Sequence, residues 1–175
     1  MKKKMKFPAK DSDFRNFTAG SEVEISGTIY VARDAAHKKL VETVKMNRPL
    51  PFEIKGSLIY YMGPSPAPAG KVIGSCGPTT SSRMDNLTIP LLEKGLKATM
   101  GKGNRDKKIT VACRKYNSLY LVTYGGCGAY LHQFVEKSEV IAYPELGPEA
   151  VYRLEVKNFP AIVGIDIKGN NIYNK

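Results

Sequence analysis

Gly70-Lys71-Val72-Ile73-Gly74-Ser75-Cys76-Gly77-Pro78-Thr79-Thr80-Ser81-Ser82-Arg83-Met84-Asp85 sets the pattern for the chain. Val72 and Ile73 predict a short strand that Gly74, Gly77 and Pro78 force into a turn. Thr79, Thr80, Ser81 and Ser82 are all N-cap residue types, so a helix is predicted to begin within that run. A helix start presents unpaired N–H groups and a partial positive charge. On such a helix Thr79 and Arg83 share one face. Hydroxyls, free amides and a guanidinium would suit a carboxylate or phosphate; a capped helix with a solvated arginine gives the same pattern.

Outward from this stretch, strand signals alternate irregularly with helix signals. Glu22 to Val31 reads as a strand with a bulge or bend at Gly27. Arg33 to Val44 reads as a helix burying Ala36, Leu40, Val41 and Val44. Ser57 to Met62 is an apolar strand, and Gly63 to Gly70 a stiff proline-bearing loop. Leu87 to Leu92 predicts a helix interrupted near Pro90 and closed by Gly95. Lys97 to Met100 is a short strand, Arg105 to Tyr116 fits helix or strand, and Leu119 to Tyr124 is a buried strand. A short helix signal runs to Val135, and Val140 to Tyr143, Val151 to Val156 and Ala161 to Ile167 predict three more strands. The class is α/β with a mixed sheet.

At 175 residues the chain is most simply one domain, read as a polar N-terminal arm over residues 1–20 and a single domain over 21–175. The basic stretch Met1 to Lys6 is expected to be a flexible, solvated tail. No apolar run is long enough to cross a membrane, and no apolar core follows the basic start as in a secretory signal; a cytoplasmic protein is expected. A formal charge of +11 favours nucleic acid, an anionic substrate or an acidic partner subunit without choosing among them. The cysteines, Cys76, Cys113 and Cys127, have no metal-ligand spacing, so no metal site is expected in this chain.

Arg33, Thr79, Arg83 and Lys102 all follow strand signals, and α/β proteins place ligands beyond the carboxyl ends of strands. Convergent cations and a hydroxyl there would suit a small dicarboxylate. Gly101-Lys102-Gly103 lacks the Ser/Thr of a P-loop, which leaves an anion contact or a turn lysine. Gly125-Gly126-Cys127-Gly128 reads as close backbone packing. His37, one helical turn after Arg33, could be an acid or base near neutral pH, although a helix-surface histidine is more often idle or structural. His37 and His132 lack the neighbours of a catalytic triad.

Ile29 to Lys38, Gly77 to Asp85, Gly101-Lys102-Gly103, Leu146 to Ala150, Phe159 to Val163, Asp166 and Lys168-Gly169-Asn170 together resemble the beta subunit of iron–sulphur (class I) fumarate hydratases, in order and over nearly the whole chain beyond about residue 20. The resemblance implies a swivelling β/β/α domain. It implies an alpha subunit that carries a 4Fe–4S cluster, with the active site formed between the chains of a hetero-oligomer such as a dimer of alpha–beta pairs. It implies reversible hydration of fumarate to (S)-malate, with Arg33, Arg83 and Lys102 binding carboxylates and Thr79 matching the residue that moves the carbon-bound proton. His37, Thr80 and Asp85 are supporting candidates. Related enzymes act on L(+)-tartrate or mesaconate, and the tartrate enzymes resemble this chain less around Ala32 to His37 and at Met84-Asp85. A basic nucleic-acid-binding module is the non-enzymatic alternative, supported by charge alone.

Overall fold

Most strands of the sheet send alternate residues into a common interior. A computed structural model describes residues 2–174. The strands are β1 (Lys3–Phe7), β2 (Glu22–Val31), β3 (Leu58–Tyr60), β4 (Ala98–Gly101), β5 (Leu119–Val122), β6 (Val135–Ala142) and β7 (Val151–Ile165). They form one mixed sheet in the order β1-β2-β3-β4-β5-β7-β6. β1 to β5 run parallel to their neighbours, and β7 runs antiparallel to β5, β6 and β2. The β2–β7 pairing closes β2-β3-β4-β5-β7 into a ring.

The ring is filled by Val23, Ile25, Ile29, Leu58, Tyr60, Met100, Leu121, Leu154, Phe159 and Val163, among others. The helices α1 (Asp34–Lys45), α2 (Asp85–Glu93) and α3 (Lys107–Tyr116) lie outside it. Ala36, Leu40 and Val41 of α1 and Leu91 and Leu92 of α2 pack on Ile59 and Tyr61. Ile109 and Cys113 of α3 pack on Tyr120 and Ile165. β3 is therefore buried on both faces, Leu58 and Tyr60 inward and Ile59 outward, which is why it reads as an unbroken apolar run. The layering is β/β/α. A fourth helix, α4 (Gly128–Leu131), is a single turn.

The bend expected at Gly27 is present as a register shift between Ile25 and Gly27. Gly27 has φ +104°, and a Cβ there would lie 2.2 Å from the Phe7 carbonyl oxygen. α1 follows its sequence signal closely, with Ala36, Leu40 and Val41 buried.

Other expectations are corrected. The N-terminal residues expected as a solvated tail form β1, because Met5 and Phe7 alternate into the core; Phe14 and Phe17 follow them there. Val72 and Ile73 form no strand: they sit in a loop tied by Ser65 N–H to Ser75 O (3.2 Å) and Ser75 N–H to Ser65 Oγ (2.8 Å). Helix α2 is not interrupted at Pro90 but runs through it, one backbone donor short, with Leu91 and Leu92 packed on the sheet. The two strands predicted over 151–156 and 161–167 are one 15-residue strand, β7. Asn158, at φ +52°, gives β7 the local irregularity that sequence patterning reads as a break. β6 begins at Val135, earlier than its apolar signal. The ambiguous segment before Tyr116 is helix, capped by the Asp106 carboxylate, which accepts from Lys108 N–H at 2.9 Å.

Candidate active site

The carboxyl ends of β2, β3 and β4 lie side by side and carry the candidate residues in turn. Ala32 N–H donates to Tyr60 O (3.2 Å) and Tyr61 N–H to Met100 O (2.7 Å), which aligns the three ends. Arg33 follows β2 directly after Ala32, and Lys102 follows β4 directly after Gly101. Thr79 joins between them: its N–H donates to Tyr61 O at 2.7 Å, and its carbonyl accepts from Lys102 N–H at 3.3 Å.

This pairing corrects the sequence picture of the Thr79 run. Thr79 and Thr80 are strand-like, Thr80 bridging Lys102, and Ser81 N–H donates to Lys102 O at 3.0 Å. A 3-10 turn spans Ser81–Met84, α2 begins only at Asp85, and Thr80 makes no side-chain cap bond. The amides of Thr79 and Ser81 are thus engaged, and Thr79 and Arg83 are not on one helical face. What the run offers instead is side chains. Among the described residues neither Thr79 Oγ1 nor Lys102 Nζ makes a hydrogen bond or ion pair. Lys102 lies along the glycine turn, where a Cβ on Gly125 would stand 3.3 Å from its Cδ. That turn packs as expected: a Cβ on Gly128 would be 2.7 Å from Gly77 N.

The two arginines meet through a residue that sequence reasoning passed over. Arg83 grips the Asp34 carboxylate with its Nε edge, and Arg33 Nε reaches Asp34 Oδ2 and Glu149 Oε1, both at 3.1 Å. The other oxygen of Glu149 accepts Ala35 N–H at 3.2 Å, fastening the start of α1. Because the carboxylates take Nε of Arg33, both of its terminal nitrogens remain for a ligand. Burial tends to raise the Asp34 carboxyl, but hydrogen bonds from Arg83 and Arg33 outweigh it and hold the group below its ordinary range. The signal for Asp34 was its place beside Arg33 at a helix start; Glu149 stands in the 146–150 motif but had no assigned partner.

Of the supporting candidates, Thr80 is exposed beside Lys102. Asp85 is buried and paired with Arg105, a residue with no sequence signal of its own. His37 is fully buried against Tyr61, ring centroids 5.2 Å apart, rather than on a helix surface. Burial first, and then the Arg105 charge, push it down to about 3, so it is neutral near pH 7 and exchanges no proton there.

The described residues do not fit a 4Fe–4S cluster. No group of three or more His, Cys, Asp or Glu side chains converges among them. Cys76 and Cys113 are buried, which pushes their thiols up to about 12 and about 11, while Cys127 stands alone and exposed. Protonated thiols are poor iron ligands. Tyr60, Tyr61 and Tyr120 of the strand segments are in the core and present no face to a base, while Tyr124, Tyr130 and Tyr173 are exposed. A groove of about 740 Å³ lies on β6 and β7 between Glu136, Glu139, Arg153 and Glu155 rather than at the candidate residues. No helix is long and apolar enough to cross a membrane among the described residues.

An α/β domain that gathers cations and an unpaired hydroxyl at parallel strand ends has the chemistry to hold a small anion. The chain belongs to the family described as Fumarase C-terminus, whose model matches residues 2–175. It is 43% identical over 162 residues to fumarate hydratase 2 of Leishmania major, covering 91% of this chain and 28% of that protein. It is 42% identical over 162 residues to the anaerobic class I fumarate hydratase of Escherichia coli K12, covering 91% and 29%. The chain therefore spans less than a third of these fumarate hydratases. Against the L(+)-tartrate dehydratase subunit beta of Escherichia coli K12 the identity is 34% over 177 residues, covering 98% of this chain and 87% of the subunit.

Proposed function

We propose that this chain is the beta subunit of a two-chain hydro-lyase that reversibly hydrates fumarate to (S)-malate. The observation that carries the reading is the seating of Arg33, Thr79 and Lys102 on three adjacent strand ends, with Arg83 tied to Arg33 through Asp34. The coverage of 87% of a tartrate dehydratase beta subunit supports a free-standing subunit of this size. The 42–43% identity to two fumarate hydratases exceeds the 39% and 34% to two tartrate dehydratase beta-type subunits, a margin of a few per cent on the side of fumarate.

In this reading Arg33, Arg83 and Lys102 hold the two substrate carboxylates, fixing the carbon skeleton against Thr79. Hydration adds hydroxyl to one alkene carbon and a proton to its neighbour; Thr79 Oγ1 gives that proton, and takes it back in the reverse direction, while the proton shed by the attacking water passes to an acid–base group of the partner chain. A threonine hydroxyl is a weak acid, so the Lys102 and Arg83 charges must stabilise the alkoxide formed. The 4Fe–4S cluster implied by the resemblance is placed on an alpha subunit, in a hetero-oligomer such as a dimer of alpha–beta pairs. Buried free thiols suit a reducing cytoplasm.

The test is anaerobic reconstitution with the alpha subunit, following fumarate absorbance. Full activity from this chain alone sinks the subunit assignment. An assembled complex inert toward fumarate, L(+)-tartrate and mesaconate sinks the hydratase assignment, and a preference for either of the latter two replaces the substrate. Thr79→Ala should lower kcat at least about a hundredfold if Thr79 moves the proton.

A further inference from the structure

Thr79, Arg83 and Lys102 sit on two segments, 79–85 and 102–106, whose backbones touch at the surface. Beneath them lies Arg105, 4% exposed. Its Nε pairs with Asp85 Oδ1, its Nη2 donates to Thr88 Oγ1 at 3.0 Å, and its Nη1 donates to Thr99 Oγ1 at 3.3 Å. The guanidinium is held over two rings, 5.3 Å from the Tyr61 centroid and 4.9 Å from that of Tyr120. The second oxygen of Asp85 accepts Asp106 N–H at 2.8 Å. The Tyr120 hydroxyl is hydrogen-bonded to Ser81 Oγ (3.0 Å) and Gly103 O (2.7 Å), one group from each segment. Thr88 gives its own proton to Met84 O at 2.8 Å, so in its 2.8 Å contact with Tyr61 the tyrosine hydroxyl is the donor.

Every polar bond in this cluster runs to one of the two segments or to the strand and helix beneath them. Packing alone does not call for a buried ion pair, since apolar side chains of similar volume are often as stabilising or more so. What the guanidinium supplies is direction: a rigid planar fork with several donors fixes the groups around it in angle as well as distance.

We propose that the Arg105–Asp85 pair, enclosed by Tyr61 and Tyr120, is a positioning device that holds Thr79 and Lys102 in mutual register for the reaction. Neither member touches substrate. The proposal rests on the assignment of Thr79 and Lys102 in the preceding section, so it is tested by one measurement that needs no activity and one that does.

The experiment uses the assembled complex with Arg105→Lys and, because that variant risks misfolding, with Tyr120→Phe, which keeps the ring and removes only the hydroxyl. Amide hydrogen exchange compares Ser81 and Lys102, whose N–H groups bond across the two segments, with Tyr61, whose N–H donates to Met100 O just past β3. Positioning predicts exchange at Ser81 and Lys102 about tenfold or more faster, with Tyr61 unchanged. It also predicts a kcat loss of about 30- to 100-fold for Arg105→Lys and about 3- to 10-fold for Tyr120→Phe, with KM within about threefold, because small misplacement of a reacting group is costly. A general structural role accelerates all three amides together and leaves kcat per folded complex unchanged; either result in Tyr120→Phe overturns the proposal. A Thr79→Ala complex that keeps full turnover overturns the Thr79 assignment instead, and the exchange pattern still decides whether the clamp exists.

Discussion

Arg83 donates twice to Asp34, Nε to Oδ1 at 3.0 Å and Nη2 to Oδ2 at 2.8 Å, across 49 residues of sequence. The same carboxylate accepts from Arg33 Nε at 3.1 Å, so one anion orients two guanidiniums. Alone, two adjacent arginines would repel and splay. Asp34→Ala should therefore raise KM for the dicarboxylate about tenfold in the assembled complex, with a smaller change in kcat. Steady-state kinetics check this, and an unchanged KM would remove Asp34 from the site.

Gly101 ends β4 under the site. A Cβ there would stand 2.0 Å from Ser81 Oγ and 3.1 Å from Thr79 O. Gly101→Ala is expected to cost about 1–3 kcal/mol of stability by overpacking, and to lower activity further by displacing Thr79. Thermal unfolding and turnover of the same preparation separate the two effects.

His37 carries a pH signature. Its folded-state value is about 3, against about 6.5 for a free imidazole in the unfolded chain, so between these limits the unfolded chain binds the extra proton. Stability is then full above about pH 6.5 and falls with decreasing pH, by up to about 1.4 kcal/mol per unit. His37→Leu should flatten the dependence of unfolding on pH between about 6.5 and 4. A wild-type slope retained in the variant would contradict the burial argument.

Asp166 gives a second acid-side effect. It is buried, which raises its carboxyl, but Asn170, the Ala19 amide and the Lys168 amide bond to it and bring it below its ordinary range. A depressed carboxyl stabilises the fold above its unfolded value and loses that contribution as pH falls through the folded one. The stability gap between wild type and Asp166→Asn should be constant above about pH 5 and shrink below about pH 4.

Thiol labelling of the native chain should modify Cys127 and spare Cys76 and Cys113. The first is exposed, and the other two are buried with thiols pushed up by desolvation. Rapid labelling of all three would mean that the core opens around Cys76 and Cys113.

Much of this was legible in the sequence, for physical reasons that differ by element. Strand β2 with its Gly27 bulge, helix α1 and β3 announce themselves because burial on a regular face leaves a period, and Gly27 is needed for the approach of Phe7. Arg33 and Lys102 could be placed at strand ends because each follows an apolar strand; Thr79 could not, since the Val72-Ile73 run before it forms no strand. The true conformation of Thr79 was not legible: whether a threonine caps a helix or joins a strand depends on what its N–H meets, here Tyr61 O. His37 was misread because Tyr61, which covers it, lies on another element. Arg105 gave no signal, since its partners Asp85, Thr88 and Thr99 are neighbours only in the fold.

The ring of strands leaves two open edges, β1 and β6, at the ends of the sheet order. Unpaired strand edges invite a second chain to add on. On β1 the exposed residues are Lys3, Lys4 and Lys6, and on β6 they include Glu136, Lys137 and Glu139. Part of the chain's basic surplus thus guards the sheet. Like-charged lysines on β1 oppose strand-to-strand addition of another copy along that edge.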